Sequence, residues 1–178
     1  MMKKCMLLLA CLCLLSGCTK SNIIPNGSGG PEGAGDVAPS ADGIVWEQLW
    51  EDFDEIYADP NDYPFVETVN AGVYPEENAV KFFLLLKETI PEEEAAEFAA
   101  TVIKGFNDLI WEQNNSYARS TEDSWGGYLE QYDIYVMVGP DDGKEDKANW
   151  ILEDTIPAGE YRPIRGGVEL EEETQAGQ

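Results

Sequence analysis

Val80-Lys81-Phe82-Phe83-Leu84-Leu85-Leu86, then Thr89-Ile90-Pro91-Glu92 and a helical pattern running to about Gln113, is the stretch that decides the fold class. After Lys81 the run is apolar on both faces, which suits a central strand covered on both sides in its second half. Thr89 to Glu92 has capping-box spacing, with the Thr hydroxyl available to an early helix amide and Glu92 able to reach back. Pro91 falls in the first turn, where a missing N–H costs nothing. Glu92, Glu93, Glu94 and Glu97 then sit at the positive end of the helix dipole. Ala95, Phe98, Ala99, Val102, Phe106, Leu109 and Ile110 trace one face, and Asn114-Asn115 offers an exit. The spacing predicts a long amphipathic helix lying on a sheet.

Working outward, Phe65 to Tyr74 reads as a weaker strand, interrupted by Gly72 and suited to an edge. Pro75-Glu76-Glu77-Asn78 joins it to the central run as a hairpin. Upstream, Trp46, Leu49, Trp50, Phe53, Ile56 and Tyr57 recur at helical spacing, opposite an acidic side, and Pro60 ends that shorter helix. Downstream, Tyr132 to Val138 puts Tyr132, Ile134, Val136 and Val138 on one strand face. A polar loop to Lys147 leads to a second strand in Asn149 to Ile156. The order predicts an α+β domain over residues 42–167, with about four mostly antiparallel strands in two hairpins and the long helix packed on them. No internal repeat is visible.

The N-terminus reads differently. Lys3 and Lys4 precede the apolar run Met6 to Leu15, too short to span a bilayer of ~30 Å, as in a secretory signal. It ends in Leu15-Ser16-Gly17-Cys18, which resembles the lipobox of bacterial lipoproteins. The resemblance implies cleavage after residue 17, a lipid on Cys18 and an extracytoplasmic domain tethered to a membrane. By the same resemblance, Thr19 is not the Asp that retains such proteins at the inner membrane, so the outer membrane is expected in a Gram-negative host and the cell membrane otherwise. Two acyl chains, at ~0.8 kcal/mol per buried CH₂, anchor stably where one is marginal.

Of the four cysteines, Cys5, Cys11 and Cys13 lie in the leader and Cys18 is used for lipid, leaving no disulfide and no thiol nucleophile. Thr19 to Ala41, rich in Gly and Pro, is expected to be a flexible linker with a root-mean-square span of about 27 Å. The acidic tail, residues 168–178, is expected to fray. With 35 acidic against 11 basic residues, the surface repels nucleic acid and anionic polymers.

Chemistry is sparse. With no His, the commonest general base and the Ser-His-Asp and Cys-His arrangements are excluded. No phosphate-loop, dinucleotide or nucleophile-elbow motif occurs, and Asp59–Pro64 and Asp141–Asp146 both break the calcium-loop pattern. No cofactor and no metal are expected. Carboxylate pairs for glycoside hydrolysis are too numerous among 35 acids to single one out.

One stretch rises above this background: Asn114 to Gln131, an 18-residue connection containing Arg119, Trp125, Gly126, Gly127 and Tyr128. Trp125 and Tyr128 around a Gly pair suit a stacking platform for a sugar or peptide, with Arg119 as polar contact; alternatively both rings fold inward against the sheet. The expected role is a non-enzymatic surface binding module with a glycan or protein partner. The alternatives are a carboxylate-dependent hydrolase of an envelope glycan and a structural accessory subunit of an envelope complex.

Overall fold

A computed structural model describes residues 40–168; the leader, Cys18, most of the linker and all of the acidic tail but its first residue lie outside the described residues. The order is α1 (Trp46–Tyr57), β1 (Val66–Tyr74), β2 (Ala79–Leu86), α2 (Glu92–Gln113), β3 (Asp133–Pro140) and β4 (Leu152–Ile156). The strands form one sheet in the order β1-β2-β3-β4. The fold is α+β, with β1·β2 and β3·β4 antiparallel hairpins. The hairpins meet through a parallel pair, Val80 opposite Ile134 to Leu86 opposite Pro140. This follows from the connection, because a crossover helix returns the chain to the end of the sheet from which β2 began.

The helix-facing side of the sheet carries Val80, Phe82, Leu84 and Leu86 from β2, with Ile134, Val136 and Val138 from β3. These pack with Phe98, Val102, Ile103, Phe106 and Ile110 of α2 and with Leu49 and Phe53 of α1 in one continuous core. In β1 both Val66 and Val69 join it, although an odd spacing should point them to opposite faces. A bulge between Val66 and Thr68 shifts the register and turns both inward. On α1, Ile56 does not join the expected apolar stripe; it is 43% exposed, while Leu49, Phe53 and Tyr57 are buried.

One local expectation is corrected. The helix begins at Glu92 with Pro91 as its cap residue, extended at φ −56° and ψ 143°, and no side-chain capping bond forms. Pro91 biases Ile90 away from helical angles, so Thr89 cannot act as the cap. The expected two-sided cover of the second half of β2 is present, with Leu84, Leu85 and Leu86 all buried, although among the described residues no helix lies on its far face. Phe83 is half-buried against Tyr135, at 5.8 Å between ring centroids, and cover comes at one end, where Trp150 closes over Gly139 beside Met137.

The entering chain is fastened to the C-terminal end of α2. Asn114 Nδ2 donates to the Asp42 carbonyl at 2.7 Å, and the Gln113 side chain brackets the Val45 backbone, accepting at 2.6 Å and donating at 3.3 Å.

Candidate functional site

The 114–131 connection is built on one buried polar side chain. Asn107, fully buried in α2, accepts from the Tyr128 amide at 3.1 Å and donates to the Ala118 carbonyl at 3.0 Å. The connection closes on itself where the Gly127 amide donates to Ala118 O at 2.9 Å. Gly126, at φ +99°, leaves the space that the Asn107 carboxamide fills, and a β-carbon on Gly127 would meet the Ala118 backbone at 2.5 Å. The glycine pair therefore serves close backbone approach. Sequence reading missed Asn107, although an Asn one turn from both Ile103 and Ile110 on the apolar face was a usable signal.

The expected platform is corrected by this geometry. Tyr128 is 3% exposed and sits among Trp46, Tyr117 and Tyr132, with centroids 6.0, 5.2 and 5.3 Å away. Burial, and then a hydrogen bond with Tyr132, push its hydroxyl far above the usual tyrosine range. Arg119 is turned to α2, where its Nε donates to Asp108 at 3.0 Å and its guanidinium lies 4.9 Å from the Trp111 ring. Trp125 is 2% exposed, so neither ring offers an open stacking face. Both fold inward because anchoring on Asn107 draws this part of the connection down onto α2.

Trp125 nevertheless borders a cleft. It packs against Tyr161 at 5.4 Å between centroids, and Lys104 Nζ lies 5.6 Å from the Trp125 ring and 5.3 Å from the Tyr161 ring. Lys104 also donates to the Thr121 carbonyl at 2.6 Å, fixing the turn that leads into Trp125. The cleft holds about 380 Å³ between the N-terminal half of α2 and the strap formed by residues 157–167. Glu92, Glu93 and Glu97 supply carboxylates, Ala96, Ala100 and Ile164 an apolar floor, and Tyr161 a ring that is 37% exposed. Among the described residues the Trp125 Nε1–H finds no acceptor, though buried indole donors ordinarily do.

The strap is clamped beside this cleft. Arg162 grips Asp154 of β4 with both terminal nitrogens, at 2.5 and 2.8 Å, and the Arg165 amide adds a third bond at 2.7 Å. Burial works to raise the Asp154 pKa, but the bonds from Arg162 and Arg165 outweigh it and hold the carboxyl below the usual range. Further along, the Glu153 amide donates to Gly167 O at 2.9 Å, and the Glu92 carboxylate fills the space beside Gly166. Tyr161 is thus held in place by its immediate neighbour in sequence. Nothing in its own local pattern marked it.

A second depression, about 430 Å³, lies between α1 and α2 and is lined by Asp52, Glu55, Asp59, Asp62 and Glu112 with Ile56 and Leu109. Among the described residues no group of three or more His, Cys, Asp or Glu is placed to hold a metal ion. Among the same residues no helix is long and apolar enough to cross a membrane. No family model, no curated protein and no solved structure matches this chain.

Proposed function

We propose that the chain is a lipid-anchored envelope protein whose folded domain is a non-enzymatic binding module, with the Trp125–Tyr161–Lys104 cleft as its binding site. The lipobox-like Leu15-Ser16-Gly17-Cys18 supports the anchor. The observation that carries the binding site is the buried Trp125 Nε1, without an acceptor among the described residues, in a ring packed against the partly exposed Tyr161. An unpaired buried donor costs about 1–3 kcal/mol, and a ligand acceptor recovers it. The outward surface excludes nucleic acid on charge, with 35 acidic residues against 11 basic.

Two variants test the two halves. Cys18→Ala abolishes lipidation, read by detergent phase partitioning and mass spectrometry of the N-terminal peptide. Tyr161→Ala removes binding to isolated envelope glycans and peptides while leaving the melting temperature nearly unchanged. Retained binding by Tyr161→Ala would move the site elsewhere. Glu92, Glu93 and Glu97 on the same cleft favour the second reading, a carboxylate-dependent glycan hydrolase. Product analysis of incubated glycans separates it from binding alone.

A further inference from the structure

We infer that the cleft takes the end of an uncharged, polyhydroxylated saccharide; this rests on the cleft being the binding site, and names its ligand class. The cleft's unmet chemistry is specific. Trp125 Nε1–H has no acceptor among the described residues, and the exposed carboxylates of Glu92, Glu93 and Glu97 line the same cleft as ready acceptors. A hydroxyl group is both at once, and a run of hydroxyls on a ring meets the two demands from one ligand. The C–H face of a sugar ring complements the exposed Tyr161 ring and the Ala96, Ala100 and Ile164 floor.

Charge narrows the class further. The three carboxylates attract a cation, but the Lys104 ammonium already occupies the ring faces, at 5.6 and 5.3 Å from the two centroids, and repels a second one there. An anion would meet three carboxylates against one ammonium, on a chain of formal net charge −24. At about 380 Å³ the cleft lies at the small end of ligand pockets, ~300–1,000 Å³, so it suits a terminal one or two sugar rings rather than a polymer passing through. Because Nε1 is buried, its capture of a hydroxyl requires a neighbouring group to move aside, and the Tyr161 ring, packed on Trp125 and 37% exposed, is the neighbour we assign to that movement.

The test uses the full processed chain, ¹⁵N-labelled in detergent, and follows the indole N–H signals of its five tryptophans, with Trp125 assigned by Trp125→Phe. Maltotriose and triacetylchitotriose represent neutral saccharides, trigalacturonate the anionic class, chitosan trimer the cationic class, and an acetylated, amidated pentapeptide the non-sugars. We expect at least one neutral saccharide to shift the Trp125 signal, and the charged sugars and the peptide to leave it in place. Trp125→Phe keeps the apolar bulk without the donor and should weaken that binding about tenfold. If Trp125→Phe does not fold, Tyr161→Ala serves as the variant and should abolish the shift. A shift driven by the charged sugars or the peptide would overturn the ligand class while leaving the cleft as the binding site. Saccharide binding that moves other signals but not that of Trp125, or no response to any probe, overturns both.

Discussion

The carboxamide of Asn107 fills the space that a β-carbon on Gly126 would need, so one residue on a helix and one on a distant loop form a single fitted joint. Gly126→Ala forces both a clash and a positive φ on a residue with a side chain. It is expected to destabilise by about 3 kcal/mol, read from denaturant unfolding. Asn107→Ala should cost about 1–3 kcal/mol by leaving the buried Tyr128 amide unpaired, while the Ala118 carbonyl keeps its bond from the Gly127 amide. Combined with Gly126→Ala it should cost less than the sum of the two, because the cavity admits the new methyl.

Gly105 and Tyr57 make the corresponding joint between the two helices, since a β-carbon on Gly105 would collide with the Tyr57 hydroxyl. That hydroxyl is pushed up to about 12 by burial first, then by Tyr63 and Asp108. Gly105→Ala is expected to destabilise by about 1–3 kcal/mol despite its better helix propensity. Adding Tyr57→Phe should recover part of that loss, measured as the coupling in a double-mutant cycle.

Tyr128→Ala should cost about 3–5 kcal/mol, as truncation of a buried aromatic does. Thermal melting checks it. A change below about 1 kcal/mol would contradict a core role for this ring.

The Asp154–Arg162 clamp predicts a pH dependence of definite sign. Asp154 has a folded pKa below its ordinary value, so its stabilisation is present above about pH 4 and is lost as pH falls through the folded pKa. Asp154→Asn should therefore lower the melting temperature at pH 7, with the gap from the parent closing below about pH 4. Comparing the two proteins cancels the relief of repulsion among the other carboxylates as they protonate. Arg162→Ala, which leaves Asp154 buried and unpaired, should cost about 3 kcal/mol.

Local periodicity made the elements legible: α2 closes at Gln113 as its apolar stripe predicts, β2 is central, and both hairpins form. The parallel pairing of β2 with β3 was implied by strand–helix–strand order, but reading two separate hairpins obscured it. The capping box failed because Pro91 constrains Ile90, a neighbour effect stronger than the Thr–Glu spacing. Whether Trp125 and Tyr128 faced outward depended on Asn107, a contact across the fold that no local window contains. The same holds for Tyr161, which meets Trp125 only after the strap is drawn back by Arg162 on Asp154. Of the three candidate site residues read from the sequence, Arg119, Trp125 and Tyr128, only Trp125 borders the cleft.

The bond from Asn114 to the Asp42 carbonyl fixes where the preceding chain enters the domain. It enters beside the last turn of α2, whereas the cleft lies along the first half of that helix, from Glu92 to Lys104. At 1.5 Å per residue, Glu97 stands about 25 Å along the axis from Asn114. The chain thus enters at one pole of the domain and the cleft opens toward the other, so a ligand seated in the cleft does not meet the entering chain.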